Sequence, residues 1–211
     1  MLVPREKPPL VPGKREHNKL DKLDRIRRAA REAFISKGYD EATTRNIARQ
    51  AKVALGTLFT YATDKRDLLF LVINDDFETI SKRAGASPRT DVLLLDNLIL
   101  AFEPLYQFFS QNPVLTRLVL REMLFYQSGT QATRFAATRH HLIRIAVQLV
   151  RDAQARREID TAQDPEVAGA VIFAVYQFEV RRWLARERLN VAHGLRDLKK
   201  ALSIIIRGLA A

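Results

Sequence analysis

The sequence contains no cysteine and only four histidines. Without cysteine the chain can form neither a disulfide nor a thiolate metal site, and it has no cysteine nucleophile. His140 and His141 are adjacent, so on a helix they do not form the i, i+4 pair that binds a metal, and His17 and His193 are isolated. No Walker loop, GxSxG motif or dinucleotide fingerprint is present. We therefore expect no metal, no cofactor and no enzymatic activity.

Long apolar runs are also absent. No run approaches the roughly 18–20 residues of a membrane span, and the N-terminus lacks the apolar core of a signal peptide. We therefore expect a cytoplasmic protein without a membrane partner. No strand pattern and no internal repeat occur, whereas helical periodicity recurs along the chain, which predicts an all-α fold.

The charge is predominantly basic and unevenly distributed. The chain holds 35 Lys and Arg against 24 Asp and Glu, a net charge of +11, and residues 1–70 hold 16 basic against 9 acidic residues, a net +7. A basic excess in one part of the chain favours binding to a polyanion. Residues 1–18 hold four of the eight prolines and are predicted to form an extended basic tail, which either adds DNA contacts or is inert.

Two short amphipathic helices joined by a tight turn are predicted within residues 42–65. Thr44 is predicted to cap the first helix, and its apolar face consists of Ile47, Ala48 and Ala51. Residues 52–54 form the turn. The second helix, about Leu55–Tyr61, divides into two faces. One is apolar, with Leu55, Leu58, Phe59 and Ala62, and the other carries Gly56, Thr57, Thr60 and Tyr61.

The second of these faces suits the major groove of DNA. Glycine permits close approach, and hydroxyl groups bond to phosphates or base edges. Arg45, at the start of the preceding helix, could reach a guanine edge or a phosphate. The alternative is an ordinary helical hairpin at the surface, and the spacing alone does not decide between the two.

Residues 24–69 resemble the N-terminal domain of the tetracycline-repressor (TetR) family of transcriptional regulators. The resemblance is carried by Ile26, Ala30, Phe34, Gly38-Tyr39, Thr43-Thr44, Ile47-Ala48, Val53, Gly56-Thr57-Leu58, Lys65 and Leu68-Leu69. It implies that Thr44 and Lys65 contact phosphates and that Thr57, Thr60 and Tyr61 face the groove. Arg45 lies where some members read a base. The resemblance further implies a homodimeric repressor that releases a palindromic operator when a small molecule binds.

The sequence departs from the family pattern at three positions. Lys52 stands where the family usually has glycine in the turn, so a lysine is expected at positive φ at a cost of about 1 kcal/mol. Phe59 replaces a tyrosine whose hydroxyl often bonds a phosphate. Ala62 replaces a phenylalanine and leaves less apolar volume beneath the second helix.

We expect three segments: the tail at 1–18, a DNA-binding domain at 19–66, and a helical effector-binding and dimerisation domain at 67–211. The first domain opens with a helix over about Lys19–Lys37, for which Gly38 is the predicted C-cap. Its predicted buried stripe consists of Leu23, Ile26, Ala30, Ala33 and Phe34. The later helices are predicted at about 65–83, from a Thr90 cap through Pro104, at 113–125 after an Asn112 cap followed by proline, at 130–157, from Asp164-Pro165, and at 195–209.

The last two helices are predicted to form the dimer interface. The penultimate helix is apolar nearly all the way round, so it must be covered on more than one side. Pairing with a second copy would give a four-helix bundle; the alternative is that both helices lie at the centre of a larger core. The predicted interface consists of Val167, Ala170, Val171, Ala174, Phe178, Leu198, Leu202 and Ile205.

An effector pocket is predicted among the middle helices, where the family places one and where aromatic residues are frequent. The candidates are Phe102, Tyr106, Phe109, Tyr126, Gln127, Arg139 and His141. Arg139 is unusual because it lies on the apolar stripe of its helix, between Phe135 and Leu142. It either pairs with a carboxylate (Glu103, Glu122 or Glu179), extends to the surface, or lines a cavity and binds a polar or anionic effector.

Two other functions remain open at this stage. A DNA-binding structural or division-control protein of the same architecture would need no effector. A helical enzyme or lipid carrier would have a basic surface unrelated to its function.

Overall fold

The computed structural model describes residues 13–86, 89 and 91–209, apart from the side chain of Lys14. The described residues form α-helices and loops and contain no strand, which confirms the predicted all-α class. The chain divides into two compact units, Met1–Tyr61 and Ala62–Ala211. The division falls five residues before the expected end of the DNA-binding domain at residue 66.

The first unit contains α1 (Lys14–Glu41), α2 (Thr44–Gln50) and α3 (Leu55–Phe59). Helix α1 begins five residues earlier than expected, so residues 14–18 of the predicted tail are helical, and residues 1–12 lie outside the described part. Gly38 has a φ of 79° and a ψ of 170° near the predicted end of the helix, so its backbone is not helical there. Glycine adopts this positive φ without the steric cost that a Cβ would add.

The long α1 and the two short helices α2 and α3 enclose a small apolar core in the first unit. Ile26, Phe34 and Ile47 are fully buried, as is Leu58 of α3. These are the residues that the helical period placed on the inner faces, so this part of the core follows from the sequence pattern.

The second unit contains six helices among its described residues. They are α4 (Lys65–Ala84), α5 (Leu94–Gln111), α6 (Pro113–Glu122), α7 (Ala132–Ala155), α8 (Pro165–Leu184) and α9 (Val191–Leu209).

Side-chain caps set several helix starts. The side chains of Asp64, Asn112 and Asp164 accept hydrogen bonds from backbone N–H groups of α4, α6 and α8, and proline follows the last two caps, as predicted. The predicted cap of α5, Thr90, lies outside the described residues. Helix α5 begins at Leu94, after Leu93, whose side chain makes no capping bond.

Helices α7 and α8 approach so closely that only glycine fits at one position. An ideal Cβ on Gly169 would lie 2.5 Å from Val147 Cγ2 and 2.8 Å from the backbone nitrogen of Val147. The backbones of the two helices are therefore in direct contact there, and no side chain separates them.

A buried carboxylate ties the start of α4 to the segment before α7. Asp67 is fully buried and accepts hydrogen bonds from Thr63 N (2.7 Å), Gln131 N (2.8 Å) and Thr130 N (3.0 Å), as well as from the hydroxyl groups of Tyr126 and Thr63. Burial, and after it the bond to Asp67, raises the pKa of Tyr126 well above its usual range, so this hydroxyl stays protonated and donates.

The ring of Tyr126 extends this connection into the apolar core. It stacks on Phe70 with 3.8 Å between ring centroids, and Phe70 contacts Phe135 at 4.6 Å. Arg66 donates hydrogen bonds to the carbonyl groups of Glu122 and Leu124 at the end of α6. The N-terminal turn of α4 is thus bonded both to the end of α6 and to the residues before α7.

Candidate DNA interface and effector cavity

Helix α2 presents polar residues at its N-terminus. Its cap is Thr43, whose hydroxyl oxygen accepts a hydrogen bond from Asn46 N at 3.2 Å, and Thr44 is the first helical residue. The prediction of Thr44 as the cap was therefore wrong by one residue, because either threonine satisfies the sequence pattern. Thr44 is half-buried and Arg45 is exposed.

The turn between α2 and α3 is held by α1. Lys52 has a φ of 53°, which confirms the predicted positive φ at this position. Arg25 of α1 donates hydrogen bonds to the carbonyl oxygens of Ala51 (2.9 Å) and Lys52 (3.3 Å). These bonds support a backbone conformation that is unfavourable for a residue with a Cβ.

Helix α3 exposes one face and buries another. Leu58 is fully buried, whereas Gly56 and Thr60 are exposed and Thr57 is half-buried. A Cβ at Gly56 would meet no atom within 4 Å, so the space beyond this residue is open. Phe59 was predicted to belong to the buried face, but it is 42% exposed, because the short α3 buries little more than Leu58 on that side.

Tyr61 has a contact within its own unit. Its hydroxyl group donates a hydrogen bond to the carbonyl oxygen of Lys19 in α1, at 3.2 Å, and the side chain is half-buried. The hydroxyl oxygen still has acceptor capacity. Lys65, the other predicted phosphate contact, is the first residue of α4 in the second unit and is half-buried.

Helix α8 carries an exposed apolar face. Val167 is 60% exposed and Phe178 61% exposed, and Ala170, Val171 and Ala174 are exposed between them. A hollow of about 240 Å³ at one end is lined by Val167 and Val171 and by Ile205 and Leu209 of α9. The α8 residues recur at helical spacing, so they form one continuous stripe.

Two residues predicted for the interface lie elsewhere. Leu198 and Leu202 of α9 have no exposed surface, because α9 packs against α5 and α8 through this face. They are core residues of the second unit, which corrects the prediction. The outer side of α9 presents Ile204, which is exposed, and the half-buried Ile205.

A cavity of about 50 Å³ lies within the second unit, among helices α4 to α8. Its wall is largely aromatic and aliphatic and includes Phe77, Phe109, Phe135, Phe173 and Tyr176. The polar lining residues are Thr116, Arg139, Gln177 and Arg181. Phe109 and Arg139 are therefore the two predicted ligand residues that line this cavity.

The other predicted ligand residues are placed differently. Phe102 is buried and stacks on Tyr176 at 4.2 Å, and Tyr106 is buried against Trp183 at 4.8 Å. The Tyr126 hydroxyl bonds to Asp67, and Gln127 is exposed. None of these four residues lines the cavity as it stands.

His141 lies at a second, more open cleft of about 650 Å³. This cleft is bordered by the end of α4, by α5 and by α7, and its lining includes Arg83, Arg144 and Asp152. Burial, together with the nearby charges of Arg144 and Lys82, lowers the pKa of His141. The histidine is therefore more readily neutral than an exposed one.

The sequence prediction missed Gln177 and Arg181 at the first cavity. Both lie on α8 at four and eight residues from Phe173, so they share its face. This helical spacing was visible in the sequence. The spacing did not identify the inward face of α8, because this helix is apolar nearly all the way round.

Within the described residues, no group of three or more histidine, aspartate or glutamate side chains is placed to hold a metal ion. No helix in the described part of the chain is long and apolar enough to cross a membrane.

Residues 26–72 match the sequence pattern of the family described as bacterial regulatory proteins, tetR family. The chain is 28% identical to the HTH-type transcriptional repressor KstR of Rhodococcus jostii over 155 residues. These residues cover 73% of this chain and 69% of that protein. KstR of Mycolicibacterium smegmatis is 24% identical over 176 residues, which cover 83% of this chain and 80% of that protein.

The fold also matches solved structures. Bacillus subtilis FadR in complex with stearoyl-CoA superposes with a TM-score of 0.68 at 19% identity, over 88% of this chain and 98% of that one. Thermus thermophilus FadR, a TetR-family repressor in complex with lauroyl-CoA, gives a TM-score of 0.66 at 20% identity, over 90% and 95% of the two chains. Residues 26–72 therefore match the tetR family of bacterial regulatory proteins, and most of the chain is similar to HTH-type transcriptional repressors.

Proposed function

We propose that the protein is a homodimeric repressor that binds a palindromic operator through α2 and α3 and releases it when a small amphipathic molecule enters the second unit. The observation that carries the proposal is the open face of α3, formed by small and hydroxylated residues above a buried Leu58. As a DNA-binding regulator, it would act in the cytoplasm.

The side chains exposed on α2 and α3 supply the chemistry for DNA contact. Gly56 leaves room for close approach, and the hydroxyl groups of Thr57 and Thr60 offer bonds to phosphates or bases. The Thr60 hydroxyl donates to the carbonyl oxygen of Thr57 at 2.7 Å, so in this arrangement its oxygen can only accept, for example from a base amino group. Arg45 is exposed, and a guanidinium is the side chain that most often reads guanine.

Gly56→Leu is expected to leave the fold intact and to weaken operator binding about tenfold or more, because the added side chain would occupy the space proposed for DNA. Leucine favours a helix more than glycine does, and nothing lies within 4 Å of the new Cβ. Fluorescence anisotropy with a labelled operator measures the affinity, and the thermal midpoint measures the fold. Ala137→Leu, at an exposed site on α7, is the control. Unchanged affinity for Gly56→Leu would place the groove contact elsewhere.

Lys65→Ala is expected to weaken binding to operator and to random duplex alike, and to reduce the slope of log K against log salt by about one. The reason is that a phosphate contact is electrostatic and carries no sequence information. Binding is measured over a series of salt concentrations, with Lys200→Ala on α9 as the control for net charge. A loss of sequence preference at an unchanged slope would reject the phosphate role.

The proposed dimer forms through the exposed face of α8 together with Ile205 and Leu209 of α9. A monomer would leave the rings and methyl groups of this stripe in water, and their burial contributes about 25 cal/mol per Å². A two-fold axis would place the stripe of one copy against the same stripe of the other. The four helices would then form the predicted bundle.

The proposed effector occupies the cavity between α4 and α8. Its aromatic wall suits an apolar chain or ring, and the two FadR structures hold acyl-CoA molecules on the same fold. A volume of about 50 Å³ is far below that of such a ligand, so binding must displace lining residues. A displacement of Met123 or Phe135 would reach the start of α4 through Tyr126 and Asp67.

Two alternatives are separated by experiment. A regulator without an effector would show no thermal stabilisation by apolar ligands, whereas a true ligand raises stability by RT ln(1+[L]/Kd). A helical enzyme or lipid carrier would not bind a specific duplex in a salt-dependent manner. Selection of bound genomic fragments would identify the operator.

A further inference from the structure

Two arginines line the otherwise apolar cavity, Arg139 from α7 and Arg181 from α8. The Nε atom of Arg139 is buried and has no hydrogen-bond partner among the described residues. The residue as a whole is half-buried, so the cost falls on this Nε–H group, whose bond to water is lost and is not replaced. The position therefore requires an explanation beyond packing.

The three carboxylates considered as partners are bonded elsewhere, so the structural ion pair is excluded from the three alternatives for Arg139. Glu179 pairs with Arg182 at 2.8 Å, Glu122 pairs with Arg121 at 2.9 Å, and Glu103 accepts from Gln107 at 3.0 Å. On α4, the neighbouring acidic residues Asp75 and Glu78 pair with Arg134, at 2.7 and 2.9 Å. Among the described residues, neither Arg139 nor Arg181 has an ion-pair partner at the cavity.

The two guanidinium groups also affect each other. Burial, and after it the positive charge of Arg181, lowers the pKa of Arg139, although the group remains protonated at neutral pH. A site that holds two like charges against an apolar wall is stabilised by an anion, and the planar guanidinium matches the two oxygens of a carboxylate or phosphate. The neutral Gln177, one turn before Arg181 on α8, adds an amide donor to the same lining.

We infer that the effector is an anionic amphiphile, whose carboxylate or phosphate group binds Arg139 and Arg181 while its apolar part lies among Phe109, Phe135 and Phe173. This inference rests on the proposed function, because it concerns the same cavity. The aromatic lining alone would accept a neutral molecule equally well. The inference instead predicts that a neutral molecule binds more weakly than an anionic one of the same length. Arg181 is exposed, so the charged group is expected to enter last and to remain near solvent.

The test compares three probes of equal chain length: dodecanoate, dodecan-1-ol and lauroyl-CoA. Binding to the full-length protein is measured by calorimetry, and release of labelled operator by anisotropy. At least one of the two anionic probes should bind the wild type about tenfold or more tighter than the alcohol. If dodecanoate binds more tightly than lauroyl-CoA, the group that binds the arginines is a carboxylate. If lauroyl-CoA binds more tightly, the phosphates are that group.

Two variants test whether Arg139 causes the preference for an anionic probe. Arg139→Met keeps the length of the side chain and removes its charge, so the preference for the anion should disappear while affinity for dodecan-1-ol and for operator is retained. The variant should then fail to release operator when the anionic probe is added. Arg144→Met, an exposed arginine on the same helix that does not line this cavity, should behave as wild type.

The outcomes separate this inference from the proposed function. If dodecan-1-ol binds as tightly as both anions, or if Arg139→Met keeps the anion preference, the anionic class is wrong although the apolar cavity stands. If none of the three probes binds or releases operator, the effector cavity itself is rejected, and the inference with it. If Arg139→Met loses stability or operator binding without any ligand, the arginine has a structural role and the inference is overturned.

Discussion

Ala174→Glu is expected to convert the dimer to a monomer and to lower operator affinity about 100-fold or more, because one copy then reads a single half-site. Ala174 lies at the middle of the exposed α8 stripe, between Val171 and Phe178. In the proposed dimer a two-fold axis would bring the same stripe from both copies together, so each dimer would bury two carboxylates without partners. The folded unit itself should tolerate the change, since Ala174 is exposed.

Light scattering gives the mass of the variant, and anisotropy gives its affinity for a full operator and for an isolated half-site. Ala137→Glu adds the same charge at an exposed alanine of α7 and should remain dimeric. A soluble Ala174→Glu dimer with normal affinity would move the interface to another surface.

Asp67→Asn is expected to reduce the free energy of unfolding by about 3–5 kcal/mol, since hydrogen bonds to a charged group contribute roughly 1.5–3 kcal/mol each and several are affected. Asp67 is fully buried, and its two oxygens accept from three backbone N–H groups and two hydroxyl groups. An asparagine keeps the shape but turns an NH₂ group toward some of these donors, so at least one backbone N–H is left unsatisfied.

Urea unfolding measures the loss. Asp64→Asn is the matched control, because Asp64 accepts a single helix-capping bond, from Asp67 N, and asparagine caps equally well. If Asp67→Asn and Asp64→Asn had equal and small effects, the network would be an incidental contact. In that case its part in transmitting ligand binding to α4 would also have to be abandoned.

Local chemistry made several features predictable. The caps at Asn112 and Asp164 and the positive φ of Lys52 depend only on neighbouring residues, and the structure agrees with all three. The choice between Thr43 and Thr44 as the cap of α2 was wrong by one residue, because both carry the same hydroxyl group.

Features that depend on contacts between residues distant in the sequence could not be predicted from neighbouring residues. Periodicity identified the apolar stripe of α9 but not its neighbour, so Leu198 and Leu202 were assigned to an interface when α5 and α8 cover them. Three of the residues that bond to Asp67, namely Tyr126, Thr130 and Gln131, are about 60 residues away in the sequence. No local pattern shows that Tyr126 binds this carboxylate instead of a ligand.

The direct backbone contact at Gly169 has a consequence for anyone who wishes to retune this protein as a sensor. Because no side chain lies between Gly169 and Val147, α7 and α8 cannot be brought closer, and any larger residue at 169 would force them apart along their length. That pair supplies Arg139 and Arg181, whose spacing would change with it. If the proposed effector binds in this cavity, selectivity for longer molecules is therefore better sought on α6 and the residue after it, by trimming Leu120 or Met123, where added room leaves the two guanidinium groups in place.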